Sequence, residues 1–199
     1  MSASGQRRHD RNRRAILDTA LELIEQSGLD GWSMRELAER VDYTVGALYR
    51  YVDGKAALLD ALGAEAMDGL RARMERVAPA GPPLDRLREL GLAYLAFAEE
   101  QPTLFRIAMG ELPSRRRSVE AEPGEGSPYT VLLDAVRAAI ETGALATGAL
   151  DAEAIAYTVW ATVHGMATLE RTHLRGFDAD FASLHGAALD RLLAGPAAA

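Results

Sequence analysis

His164, His173 and His185, with Glu170 three residues before His173, are the side chains whose type and spacing first suggest chemistry. A Glu-x-x-His spacing puts both groups on one helix face, as in the carboxylate-bridged di-iron sites of helical bundles. Such a site needs a second pair and two further helical glutamates, and only one pair occurs here. A surface or helix-end ion pair is the expected role, and no metal site is expected. The chain has no cysteine, which removes thiolate catalysis, disulfides and Cys-ligated zinc. It has no Gly-x-Ser-x-Gly, no phosphate-binding loop and no Gly-x-Gly-x-x-Gly. No enzyme activity and no cofactor are therefore expected. His164 stands one helical turn after Trp160. Two readings of it stay open: a satisfied core histidine, or the polar group that orients a small molecule in an apolar pocket. The remaining chemistry is basic, with Arg7, Arg8 and Arg11 near the start and Arg35, Arg50 and Lys55 further on. Such groups bind phosphates and base edges.

The elements that would position those cations are short helices. Ser33 to about Val41 reads as one, with Ser33 as N-cap, Glu36 completing a capping box, and Leu37, Ala38 and Val41 on one apolar face. Asp42 suits the turn that follows, because Asp tolerates left-handed backbone angles. Thr44 is the candidate N-cap of a second helix, Val45 to about Val52. That helix should bury Leu48 and Val52 and turn Val45, Gly46, Ala47, Arg50 and Tyr51 outward. A helix–turn–helix places such a second helix in the DNA major groove. Before it, residues 11–27 form an amphipathic helix with Ile16, Leu17, Ala20, Leu21, Leu23 and Ile24 on its buried side, stopped by Gly28. Trp32 should pack beneath the helix–turn–helix. Residues 1–10 lack periodicity and are expected to be a mobile basic arm, either simply solvated or reaching DNA.

The run LAERVDYTVGALYRYVDGKAALLDAL closely resembles the DNA-binding signature of TetR-type transcriptional regulators. Leu48-Tyr49-x-Tyr51, then Lys55 and Leu58-Leu59, is its most specific part, and with the preceding helix the likeness covers residues 11–62. Asp42 stands where the family most often has Gly, and Val52 where it often has Phe. Neither is an expected DNA contact. The reading puts Ser33, Tyr49, Tyr51 and Lys55 at phosphates, and Arg35, Val45, Gly46, Ala47 and Arg50 at base edges.

Composition fits a soluble globular protein, with 48% hydrophobic and 26% charged residues. No apolar run approaches the ~18 residues that a membrane span requires, and no secretory signal is visible. A cytoplasmic protein is the simplest expectation, with no membrane partner. The net charge of −7 is unevenly placed. Residues 1–55 hold nine basic and nine acidic side chains, and residues 56–199 hold thirteen and twenty. The DNA-proximal end is thus relatively basic, an asymmetry that bears on partner choice.

Beyond the helix–turn–helix every periodic segment is helical, so the predicted fold is all-α. A long helix should run from Lys55 to about Val77, with Pro79 to Pro83 marking a boundary. Further helices are expected over 84–100, from Pro102 to Met109, over 128–142, from Asp151 to about Thr172, and from Asp178 to Leu193. Residues 110–127, with Arg115-Arg116-Arg117 balanced by Glu120, Glu122 and Glu125, read as a solvated mobile loop. The expected domains are 1–10 as the arm, 11–55 as the DNA-binding unit and 56–199 as a ligand-binding and dimerisation bundle.

Trp160-Ala161-Thr162-Val163-His164-Gly165, with Pro102 to Arg106 upstream, resembles the effector domain of a TetR-type subgroup carrying Trp-x-x-x-His-Gly. The resemblance implies a pocket for a small hydrophobic or aromatic effector, with Tyr94, Phe97, Phe105, Met109, Trp160 and His164 as candidate lining. It also implies a homodimer held by the last two long helices. Ala161, Gly165, Thr168 and Thr172 recur at i, i+4, i+7 and i+11 as a small-residue stripe, beside Phe181, Leu184, Ala188 and Leu192. The expected function is a homodimeric repressor that binds a palindromic operator on double-stranded DNA and is released by its effector. The alternative is a helical interaction or ligand-binding protein that keeps the fold without operator control.

Overall fold

The computed structural model describes residues 3–78, 81–109 and 126–194. Among them every regular element is a helix: α1 (Ala3–Ser27), α2 (Met34–Arg40), α3 (Val45–Leu48), α4 (Gly54–Glu75), α5 (Pro83–Glu100), α6 (Pro102–Ala108), α7 (Pro128–Glu141), α8 (Ala152–Arg171) and α9 (Phe181–Leu193). The predicted all-α fold is the observed one. Most of the expected loop, including Arg115 to Arg117 and its balancing glutamates, lies outside the described residues.

Several helix starts follow from one polar side chain each. The Ser33, Thr44, Ser127 and Asp151 side chains accept from the backbone N–H three residues on, at 3.2, 3.2, 3.2 and 2.8 Å. Each satisfies one of the donors that a helix N-terminus leaves open. Asp180 does the same for α9, and the Ser183 hydroxyl and amide hold its carboxyl below the usual range.

The described residues fall into two compact units. One comprises residues 3–66 and 102–109, the other 67–101 and 126–194. The first has a core of Ile16, Leu17, Ala20 and Leu23 from α1, Leu37 and Ala38 from α2, Leu48 from α3, and Leu58 and Leu62 from α4, closed by Trp32 and Ile107. These units are drawn differently from the expected 11–55 and 56–199. The start of α4 and all of α6 belong with the N-terminal helices, because Ile107 of α6 packs on Gly63 of α4. The second unit stacks α5, α7, α8 and α9. There α5 approaches α9 so closely that a Cβ on Gly91 would lie 2.9 Å from a Leu189 methyl.

One expectation about the start of the chain changes. Residues 3–10 are not an irregular arm, because α1 begins at Ala3 and continues through them. A Gln6–Asp10 hydrogen bond of 2.8 Å supports the extra turns, and His9 is held against Tyr51 with ring centroids 4.7 Å apart. That tertiary contact has no counterpart in local hydrophobic periodicity.

Candidate nucleic-acid interface and effector region

The helix–turn–helix is assembled from local chemistry. The Ser33 hydroxyl caps α2, while the Glu36 carboxylate lies 3.9 Å from Arg40. Asp42 takes φ +58, the left-handed value expected of it, and the Tyr43 N–H closes the turn onto the Ala38 carbonyl at 2.8 Å. Thr44 then starts α3. The expected helix to Val52 is regular only as far as Leu48. Beyond it the N–H groups of Arg50 and Tyr51 bond carbonyls three residues back, so the winding tightens. Gly54, at φ +89, turns the chain into α4.

Most candidate DNA contacts are open to solvent. Ser33, Arg35, Gly46 and Arg50 are exposed, Ala47 is half-buried, and Val45 and Tyr49 are 38% and 50% exposed. Arg35 pairs with Glu39 at 3.1 Å, one helical turn on. Exposed pairs of this kind contribute little, so the guanidinium can change partner readily.

Tyr51 is placed differently from the outward position expected of it. Its ring is half-buried, stacked on His9 and, at 5.7 Å, on Tyr43, and its hydroxyl accepts from Asn12 Nδ2 at 3.1 Å. The bonds from Asn12 and Tyr43 pull the Tyr51 phenol below its ordinary range, while the bond to Tyr51 pushes Tyr43 up. Tyr51 thus fastens α1 to the turn and to the end of the recognition segment. Sequence reasoning missed His9, Asn12 and Tyr43, and no periodic signal marked them. Lys55 is also engaged. Its ammonium donates to the Trp32 carbonyl at 3.1 Å and sits 4.5 Å from the centroid of the Trp32 ring. Three N–H donors leave it able to reach a phosphate as well.

In the second unit Tyr94, His164 and Trp160 come together. The Tyr94 hydroxyl and His164 Nδ1 are 2.9 Å apart, between α5 and α8. Burial pushes the Tyr94 phenol up to about 12 and lowers His164, so both are neutral near pH 7. The proton between them belongs to either group, depending on the imidazole tautomer. Trp160 is 39% exposed, its ring edge-on to Tyr129 at 5.8 Å and to Tyr157 at 6.4 Å, and tilted toward His164 at 6.4 Å. Tyr129 was not anticipated from the sequence. Phe97 is buried and packs toward Gly69 of α4. Phe105 and Met109 belong to the other compact unit. Glu170 turns from His173 to His185, 3.4 Å away on α9. Arg171 donates to the Ala98 carbonyl at the end of α5 and to the Ala167 carbonyl, and burial lowers its pKa.

The outer side of α8 carries the small-residue stripe. Ala161, Thr168 and Thr172 are exposed and Gly165 is half-buried. On α9, Leu184 is 56% exposed, and Phe181, Ala188 and Leu192 are half-buried. Met166, Leu169, Phe181, Leu184 and Ala188 line an open apolar groove of about 280 Å³.

The chain thus combines a unit that holds a capped helix–turn–helix with a second, wholly helical unit. Residues 16–62 match the family model for bacterial regulatory proteins of the tetR family, and residues 87–194 match the tetracyclin repressor-like C-terminal domain. The chain belongs to the tetR family. It is similar to the class D tetracycline repressor protein of Escherichia coli, 44% identical over 54 residues, which are 27% of this chain and 25% of that one. It is also similar to the HTH-type transcriptional repressor KstR of Rhodococcus jostii, 35% identical over 97 residues, 49% of this chain and 45% of that one. The chain therefore spans less than half the length of either curated relative. Among solved structures, a protein of unknown function from Rhodococcus sp. RHA1 superposes with a TM-score of 0.78 at 30% identity, covering 94% of this chain and 96% of that one. The regulator FadR of Bacillus subtilis, solved with stearoyl-CoA, shares the fold at a TM-score of 0.73 and 20% identity, covering 91% and 97%.

Proposed function

We propose that this protein is a cytoplasmic transcriptional repressor that binds a palindromic operator as a homodimer and releases it when a small hydrophobic or aromatic effector binds. The observation that carries the reading is the helix–turn–helix, capped at Ser33 and Thr44, with Val45, Gly46, Tyr49 and Arg50 open to solvent beside it. The family's tetracycline and KstR repressors support it. Ser33, Tyr49 and Lys55 take phosphates, while Arg35 and Arg50 take base edges at the margins of the recognition segment. Tyr51 supports the segment through its ring stack. Selecting bound fragments from genomic DNA with the purified full chain tests the reading. Enrichment of a palindrome supports it, and recovery of no sequence in preference to any other favours a helical interaction protein without operator control.

Lys55→Ala is expected to weaken binding to every sequence and to lower the salt slope by about one. Titrating operator binding across salt concentrations checks this. Altered sequence preference at an unchanged slope would place Lys55 away from the phosphates.

Effector binding is assigned to the second unit, around Tyr94, Trp160 and His164, where Trp160-x-x-x-His164-Gly165 supports membership of the subgroup with that signature. His164 supplies an orienting hydrogen bond among aromatic rings. An effector releases DNA only if it binds the two spacings of the paired recognition helices unequally, and DNA then weakens effector binding by the same factor. His164→Ala is expected to weaken the effector response while operator affinity of the free protein stays near that of the parent. Operator binding with and without an effector found by ligand screening checks it. Equal loss of operator binding before any effector is added makes His164 a core residue.

A further inference from the structure

We infer that the operator half-site is read at its centre through thymine methyl groups, with Gly46 kept free of a side chain so that the α3 backbone can approach the bases. The inference rests on the DNA-binding reading above and names the chemistry of the site it reads. Helix α3 consists of Val45, Gly46, Ala47 and Leu48. Leu48 is fully buried, and the other three are exposed or half-buried. None of those three carries a side-chain N–H, hydroxyl, amide or charge. Thr44, at the cap, commits its oxygen to the Ala47 N–H at 3.2 Å. In the major groove, the thymine C5-methyl is the apolar feature on a base edge, while the guanine, adenine and cytosine edges present polar groups. An apolar recognition tip therefore fits thymine, with Arg35 and Arg50 left for guanine or phosphate at the margins.

Gly46 adds a separate observation. A Cβ built on it meets nothing within 4 Å, and its φ is not in the left-handed region. Neither packing nor backbone conformation inside the chain requires glycine there. Gly91 and Gly186 differ, because a Cβ on them would lie 2.9 Å from Leu189 and 2.8 Å from the Arg88 guanidinium. Their reason is internal. The reason at position 46 lies outside the chain, on the face that meets DNA.

The test uses the full chain and a pool of randomised duplexes long enough for two half-sites one helical turn apart. The selected sequence is resynthesised with deoxyuridine replacing thymidine at one half-site position at a time, which removes only the methyl group. Affinity is expected to fall about threefold to tenfold at one or more central positions, the size expected for an apolar contact of one methyl. Val45→Ala or Gly46→Ala should shrink that penalty at the thymine each one faces. Gly46→Ala should melt no lower than the parent yet bind the selected duplex at least about tenfold more weakly, because a buried methyl blocks the approach. Deoxyuridine tolerated at every position, or parental affinity in Gly46→Ala, overturns the inference while leaving DNA binding intact. Selection of no sequence overturns the DNA-binding reading and this inference with it.

Discussion

Gly165→Leu is expected to sediment as a folded monomer and to bind operator about 100-fold more weakly, or worse. A Cβ at Gly165 meets nothing within 4 Å, so the first atom of a new side chain has room on this face of α8. Glycine in the middle of α8 costs roughly 0.8–1 kcal/mol of helix propensity relative to alanine, so the substitution should not destabilise the monomer. Its neighbours on the stripe, Ala161 and Thr168, are exposed, and α9 offers Leu184 and an apolar groove beside them. A stripe of small side chains lets a second copy's helix approach closely, and a leucine would hold it away. Without the second copy each recognition helix binds alone, and the effective concentration that links two half-sites, on the order of 10²–10⁴ in avidity, is lost. Sedimentation equilibrium at micromolar concentration with operator titration of the same sample checks both halves. A variant that remains a dimer with parental affinity would place the interface elsewhere.

Leu48→Ala is expected to destabilise the N-terminal unit by about 2–5 kcal/mol, the sum of lost transfer energy and a residual cavity. Leu48 is fully buried in the core that also holds Leu17, Leu37, Trp32 and Leu58. It is the buried side chain of α3 itself, so operator binding should fall with the stability of this unit. Thermal denaturation followed by circular dichroism measures the loss, and amide exchange over α1 to α3 locates it. The contrast with Gly46→Ala, two positions away, is part of the prediction. One variant loses stability and binding together, while the other loses binding alone. An unchanged melting temperature for Leu48→Ala would mean that α3 contributes little to the core.

What the amino-acid sequence determined by itself is what acts over one or two helical turns. A hydroxyl or carboxylate that accepts from the amide three residues on sets a helix start, and so Ser33, Thr44 and Asp151 were legible as caps. Asp42 was legible as the turn because Asp tolerates the left-handed backbone that it adopts. Apolar spacing marked Leu17, Leu37, Leu48 and Leu58 as buried, and the tyrosine–lysine spacing carried the family resemblance. What only the tertiary structure decided depends on residues far apart in the chain. Asn12 bonds Tyr51 across 39 positions, and Tyr94 meets His164 across 70. The bond from Asn12 turned Tyr51 from an outward side chain into a brace, and a separate contact across 23 positions tied Lys55 to Trp32. Long-range packing likewise placed Phe105 and Met109 in the other unit from Trp160, and gave Glu170 His185 as its partner. Periodicity and capping report which face of a helix is buried, because both arise within that helix. They carry no record of which partner covers the face, since that is set when distant segments pack and close their hydrogen bonds.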